Sequence, residues 1–474
     1  VAVLLLLVVS GSTACDAPNL ASSQDLRQLR RHLAPLPRFF ADLQQRTFRF
    51  FWERADPTTG LVPDRWPTPS FASIAAVGFA LTAYPIGVER GWVSRDQARE
   101  RTLATLRFFA QAPQGPEPTG KAGYKGFFYH FLDMRTGQRF ETVELSSVDT
   151  AILLMGARFA ARYFQKPHPV EQEIRSLAQL LCERVEWTWM QPRPPRIAMG
   201  WKPEEGFLVA DWHGYSEAMI VYLLALGSPT YPVGPEAWDA WTSTYRWGSF
   251  YGYEHVGFGP LFGHQYSHIW VDFRTIADAY MREKGIDYFE NSRRAVLAQR
   301  LYAKANPEQW QGYSESIWGI SACDGPADVS LFVGGRYRRF YTYAGRGASH
   351  TGILDDGTLT PTAVVSSLPF APEVVIPAVA ALERTYGPWL LGEYGFFDAF
   401  NPTFQFSDVP LRHGRVVPGV GWFDTDYLGI DQGPIVAMIE NYRSELVWRL
   451  MRQDPYLKAA LKKAGFSGGW LEEP

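Results

Sequence analysis

Apolar positions recur at helical spacing through most of the chain. Leu26, Leu29 and Leu33, then Phe39, Phe40, Leu43, Phe48 and Phe51, mark a first helical stretch that Pro35 and Pro37 interrupt. A small-residue-rich element runs from Ser73 to Ala83. A third opens at Ser94, where Ser94 and Gln97 have capping-box spacing and Ala98, Leu103, Leu106 and Phe109 carry the apolar face. Further helices are predicted at 146–164, 170–190, 216–226, 236–244, 265–284, 288–305, 361–366, 372–386, 432–452 and 455–464. Long loops at 113–143, 192–215, 246–264, 307–360 and 388–431 separate them. These loops are rich in Gly, Pro, Asp and aromatics rather than Lys, Glu and Ser, which points to ordered functional loops. Phe332–Tyr343 reads as a hairpin around Gly334-Gly335. The period predicts an all-α fold. About a dozen helices with elaborated loops fit an (α/α)6 toroid, and a helical solenoid fits nearly as well.

Composition narrows the function. The chain has 474 residues and 46% hydrophobic content, enough for a large core. Net charge is −3, which offers no basic excess for a phosphate backbone, so nucleic-acid binding is not expected. The 17 Trp, 23 Tyr and 31 Phe exceed what a core usually needs. The surplus either lines a sugar cleft or builds an aromatic-rich interior. The apolar run Val1–Val9 and the small residues before Cys15 read as a signal peptide with a lipobox at 1–15. A tether at 16–23 and a single domain at 24–474 would follow. Lipidation at Cys15 would be the one membrane attachment, placing the protein in the periplasm or on the outer membrane of a Gram-negative bacterium. Cys182 and Cys323 read as buried free thiols, and no Cys or His cluster has zinc spacing. No cofactor or metal is expected, and the protein is expected to be a monomer.

Glycoside cleavage needs one protonated carboxyl and a base or nucleophile on the opposite face. Acids at loop–helix junctions among aromatics are therefore the candidates. The segment Glu141-Thr-Val-Glu144-Leu-Ser-Ser-Val-Asp149 places three acids where Ser146 can cap a helix, although Asp149 also suits a plain capping role. In Asp211-Trp212-His213-Gly214-Tyr215-Ser216-Glu217, Ser216 can cap the next helix with Glu217 at its first position. The run His264-Gln265-Tyr266-Ser267-His268-Ile269-Trp270, continuing to Asp272 and Arg274, can bond sugar hydroxyls and stack a ring, or simply pack. Its two histidines lack the Glu of a metalloprotease helix. Later loops supply Trp318, Asp324, Asp356, Glu393, Asp398 and the run Asp424-Thr-Asp426 to Asp431. Asp324 and Asp356 are also ordinary turn-formers before glycine, and Asp431 has the look of an N-cap.

Together the blocks ELSSVDTA, YSEAM, GPLFGHQYSHIWVDFR, WGISACDGP, DDGTLTPTAVVSSLPFAPE, GEYGFFDAFN and DYLGIDQGPIVAMIENYRSELVW resemble the bacterial glycoamylase-like family. That family belongs with glycoside hydrolase family 144, the endo-β-1,2-glucanases. The resemblance runs in order from about Thr47 to Leu450. It implies an exported (α/α)6 barrel that cleaves linear β-1,2-glucan to sophorooligosaccharides with inversion. It further implies Glu217 as general acid, with Glu144, Asp149 and Glu141 near the cleavage subsite, and Asp398 or Asp431 as base. The His264–Arg274 block, Trp212, Trp318, Asp324 and Trp422 would hold glucose units. Exo-action, transglycosylation on a related glucan, or a non-catalytic glycan-binding lipoprotein are the other readings.

Overall fold

Helices of two kinds alternate in the computed structural model, which describes residues 36–473. The expected leader at 1–15, the tether at 16–23 and the leucines at 26, 29 and 33 lie outside the described residues. α1 (Arg38–Arg54) buries one face, and α2 (Ile74–Glu89) is buried almost all round. The alternation continues with α3 (Arg95–Gln111), α4 (Ser147–Tyr163), α5 (Pro169–Glu183) and α6 (Met219–Gly227). It runs on through α7 (Glu236–Thr242) and the short α8 (Tyr266–Trp270), which is wholly buried. After α9 (Ala279–Lys284) come the one-faced α10 (Tyr288–Ala305), the buried α11 (Pro361–Val365), the one-faced α12 (Pro372–Leu390) and the buried α13 (Gly429–Ser444). α14 (Leu446–Met451) and α15 (Pro455–Lys463) follow. The fold is mostly helical, with two- and three-stranded ladders in the loops.

The one-faced helices carry the 3.6-residue stripe that periodicity reads, whereas the buried ones are apolar on every side. Ser94 and Gln97 do form the capping box of α3. Three expectations needed correction. The segment 265–284 is not one helix: after α8 the chain is extended, and Asp272 turns back to accept Arg274 N and Nε at 3.2 and 2.7 Å. Thr275 sits at φ 67°, held there by a 2.9 Å bond from its N–H to Asp287. The segment 170–190 stops at Glu183, because Arg184 is tied to the last turn of α3 through the Phe109 and Ala110 carbonyls. The segment 432–452 is broken at Glu445, which has φ 54°, and its helix begins earlier, at Gly429.

α4 packs on α2 and α6, and α13 packs on α2 and α11. The α2–α4 crossing is backbone on backbone: a Cβ at Gly78 would collide with the Ile152 carbonyl, and one at Gly156 with the Gly78 carbonyl. α8 joins its neighbours by polar links, Ser267 Oγ to Glu217 O at 3.1 Å before α6, and Gln265 Nε2 to Ala363 O at 2.8 Å in α11. The starts of α2, α4 and α13 are fixed by short ladders. Ser73 pairs with Phe131, Ser146 with Gly200, and Leu428 with Arg65. The expected hairpin is Val329–Val333 against Arg336–Phe340, with Gly334 and Gly335 at φ 60° and 83° in its turn. Cys182 and Cys323 are free and buried.

One buried ion pair anchors the loops over this end. Arg346 and Asp356, both fully buried, meet at 2.7 and 2.8 Å, and Arg346 also donates to the carbonyls of Cys323, Tyr341 and Thr342. Asp356→Ala would strand a buried guanidinium and cost about 3–5 kcal/mol of stability. Urea denaturation of the purified variant checks this; a shift under about 1 kcal/mol would mean the loop relaxes to solvate Arg346.

Candidate active site

The starts of the buried helices gather acidic side chains. Asp149 is in the first turn of α4, and its N–H donates to the Ser146 cap at 3.2 Å while the Ser146 hydroxyl donates back to its carboxylate. A histidine absent from the sequence-based candidates bridges this group. His130 Nδ1 lies 3.0 Å from Glu144 Oε1, and Nε2 lies 3.6 Å from Asp149 Oδ2. Burial pushes the imidazole pKa down, but the charges of Asp149 and Glu144 outweigh it and raise the value to about 9. The His130 hydrogen bond in turn holds Glu144 below the usual carboxylate range.

Glu217 stands two residues before α6, not at its first position, and Ser216 accepts the N–H of Ala218 at 3.3 Å. One carboxyl oxygen, Oε2, is buried without a hydrogen-bond partner among the described residues. Burial raises Glu217 to about 7, with the charge of Asp149 adding to the shift. A carboxyl in that state holds its proton near neutrality.

A second acidic group lies at the start of α13 and in the late loops. Asp431 is inside the first turn of α13, not at an N-cap. Asp398 Oδ2 accepts Asp324 N at 2.7 Å. Asp324, Asp398 and Asp424 each bring an oxygen within 4.8 Å of the others. Such a trio could hold a cation, yet a guanidinium already faces it. Arg65 Nη1 lies 2.7 Å from Asp324 Oδ2 and 3.5 Å from Asp426 Oδ2. Asp398 Oδ1, Asp424 Oδ2 and Asp431 Oδ2 are buried with no partner among the described residues. Burial, then the charges of Asp431 and Asp324, pushes Asp398 well above the usual carboxylate range; burial also lifts Asp431 to about 7, with the charge of Asp324 adding to the shift. The two carboxyls titrate as a pair, and burial favours a proton held between them. Burial raises Asp64 to about 6. It opposes the fall at Asp426, which hydrogen bonds from His413 and Thr68 nevertheless hold low.

Tyr266 lies between the two groups. Its hydroxyl donates to Ile430 O at 3.1 Å, and burial followed by Asp431, Tyr343, Glu217 and Asp149 drives its pKa up. Tyr343 is 56% exposed, and burial on its protein side, then the charges of Asp431 and Asp398, pushes its pKa up.

Several residues expected to touch sugar are instead committed to packing. α8 is enclosed, so His264 and His268 are fully buried; burial lowers His268 to about 3, and its Nε2 lies 3.1 Å from Ser292 Oγ. Trp270 stacks on Phe79 and donates to Thr82 at 3.0 Å. Gln265 bonds Ala363 O and Ser367. Arg274 pairs with Asp272 and Glu445 and lies over Trp448 at 4.3 Å. Trp318 is fully buried, as is Trp422, which donates to His413 O. Trp212 is 7% exposed and its indole N–H goes to Ser147 at 2.8 Å. Glu141 is exposed on a turn at φ 46°. Asp324 does join the acids, and of the α8 block Tyr266 alone reaches them. His130, Asp64 and Arg65 had no sequence signal beyond their place in aromatic loops.

The glycoamylase family model, described as "Putative glucoamylase", matches residues 210–455. A crystal structure of a putative glucoamylase from Bacteroides uniformis superposes with a TM-score of 0.77 at 31% identity, covering 93% of this chain and 100% of that one. An endo-β-1,2-glucanase from Chitinophaga pinensis, solved with sophorotriose and glucose, gives a TM-score of 0.77 at 27% identity over 92% of this chain and 100% of that chain. An exo β-1,2-glucooligosaccharide sophorohydrolase (non-reducing end) from Parabacteroides distasonis is 28% identical over 455 residues, or 89% of this chain. The chain spans 57% of that relative's length. The chain belongs to the glycoamylase family, the group akin to glycoside hydrolase family 144 that its signature blocks resemble.

Proposed function

We propose that this protein hydrolyses β-1,2-glucan with inversion, using Glu217 as the general acid and Asp431 as the base. The observation that carries the reading is the pairing of a carboxyl held protonated near neutrality, Glu217, with a second buried carboxyl pair, Asp398–Asp431, on the other side of Tyr266. Glu217 gives its proton to the glycosidic oxygen as the bond to the anomeric carbon breaks. Asp431, ionised beside a protonated Asp398, takes a proton from the water that attacks the opposite face. Inversion requires about 6.5–9.5 Å between the two carboxyls when a single water lies between them. Asp149, steadied by Ser146 and His130, supplies the negative charge that helps keep Glu217 protonated.

The scaffold we propose is an (α/α)6 ring. Its support is the neighbour sequence of buried helices, α2–α4–α6–α8–α11–α13 and back to α2, each link a packing contact or a hydrogen bond. The likeness to an endo-glucanase and to an exo-sophorohydrolase supports the β-1,2 linkage and leaves two modes of attack. Incubation with linear β-1,2-glucan separates them by product size. Sophorooligosaccharides of mixed length are expected from mid-chain cleavage. Sophorose alone would establish attack from a chain end, and an intact polymer would overturn the hydrolase reading.

A further inference from the structure

A second cavity opens beside the acids. It is a groove of about 520 Å³ with Arg65 at one end and Arg135 and Arg412 among its lining residues. Its inner end is joined to the catalytic group through Asp426. The Thr68 N–H donates to Asp426 Oδ1 at 3.0 Å, and His413 Nδ1 lies 3.5 Å from Asp426 Oδ2, next to Arg65. A chain leaving the acids on this side therefore enters the groove.

One wall is aromatic. Phe71 packs between Phe131 and Phe140, with ring centroids 4.1 and 4.7 Å away, and both Phe71 and Phe140 line the groove. Such a face suits the C–H surface of a sugar ring. The charges are distributed unequally. Asp133 also lines the groove; one of its oxygens, Oδ1, accepts from Arg135 N, Thr136 N and Thr136 Oγ1 at 3.1, 2.7 and 2.9 Å, and its charge reaches Arg135. Arg65 is held by Asp324. The side chains of Arg135 and Arg412 are exposed, and neither guanidinium makes a hydrogen bond or close ion pair among the described residues. Two exposed guanidinium groups that line an aromatic-walled groove, one near Asp133 and the other with no acidic neighbour among the described residues, suit a carboxylate or phosphate ester by charge. A sugar bearing hydroxyls alone could accept hydrogen bonds from both but would leave their charges uncompensated.

We propose that this groove is a subsite for an acidic substituent, a carboxylate or phosphate ester carried on a glucose unit, received by Arg135 and Arg412. This rests on the glucan reading above. The chain as a whole is weakly acidic, with a net charge of −3, so any preference for an anionic glucan must come from this local pair.

The test compares linear β-1,2-glucan with the same polymer lightly succinylated. For the full chain at low ionic strength, kcat/KM for the succinylated glucan should exceed that for the neutral one by about fivefold, through KM, as expected of two solvent-facing ion pairs. The advantage should shrink toward unity in about 0.5 M NaCl and in an Arg135→Ala/Arg412→Ala double variant. The double Lys variant should retain part of it. Equal kcat/KM for the two polymers, or a preference that survives the double Ala substitution, would overturn the subsite. Affinity electrophoresis of Glu217→Gln on gels containing either polymer reads the same preference without turnover. If neither polymer is cleaved, the hydrolase reading falls, while the electrophoretic comparison still decides the groove.

Discussion

Glu217→Gln should lower kcat by about 10²–10⁴-fold, or about 3–5 kcal/mol of barrier, while leaving the fold intact and the affinity for glucan close to that of the wild type. The amide keeps the shape of the carboxyl but has no proton to give to a leaving oxygen. The structure adds a second, opposite effect. Glu217 is raised from 4.5 to about 7 in the folded chain. Between those values the folded state keeps a proton that the unfolded state has released, so stability declines as pH rises through the window and stays low above it. Glutamine removes that penalty. The variant should be about 1–3 kcal/mol more stable than the wild type at pH 8 and no more stable near pH 4. Thermal unfolding at the two pH values, alongside single-turnover assays, checks both halves. A variant that loses stability at pH 8 would show that the buried oxygen has a partner in solution, and a near-normal rate would remove Glu217 from the chemistry.

Asp431→Asn should cost a similar factor, about 10²–10⁴-fold in kcat, and should change the pH profile in a way no merely structural substitution would. In the wild type the base must be ionised and the acid protonated. Activity therefore falls as pH drops through the value of Asp431, about 7, and falls again as pH climbs through that of Glu217, also about 7. The result is a narrow bell in kcat/KM centred near neutrality, whose limbs belong to the coupled set of carboxyls. Asp431→Asn should lose the acid limb and Glu217→Gln the alkaline one. If Asp398→Asn abolishes the acid limb while Asp431→Asn leaves it in place, the two aspartates have exchanged roles.

The sequence made the helical part of this plan legible because one-faced helices such as α3 and α10 carry an apolar stripe, and because Ser94 and Gln97 obey a local rule. The helix breaks were invisible, since the Thr275 N–H is tied to Asp287 and the Glu445 carboxylate to Arg274, partners that no local spacing rule pairs with them. The acids were readable as residue types beside aromatics. Their grouping was not, and His130 and Arg65 illustrate why. Each matters because of a carboxylate 14 to 361 positions away, a separation no periodicity records. The tryptophans misled for a related reason. An abundance of large rings says how much aromatic surface exists, and Trp270, Trp318 and Trp422 put theirs in the interior.

The division of labour between helix starts and loops has an evolutionary consequence. Asp149 and Asp431 are carried by first turns of helices whose backbones are locked against one another, down to the glycine contact between α2 and α4. The Thr68–Phe71 and Arg412–His413 segments that line the neighbouring groove belong to loops. Insertions and deletions in those loops can therefore change the surroundings of the acids while Asp149 and Asp431 keep their places on the helix starts. On the proposed hydrolase reading, relatives of this fold could diverge between trimming a polymer from its tip and cutting it in the middle while those two carboxylates stay in place.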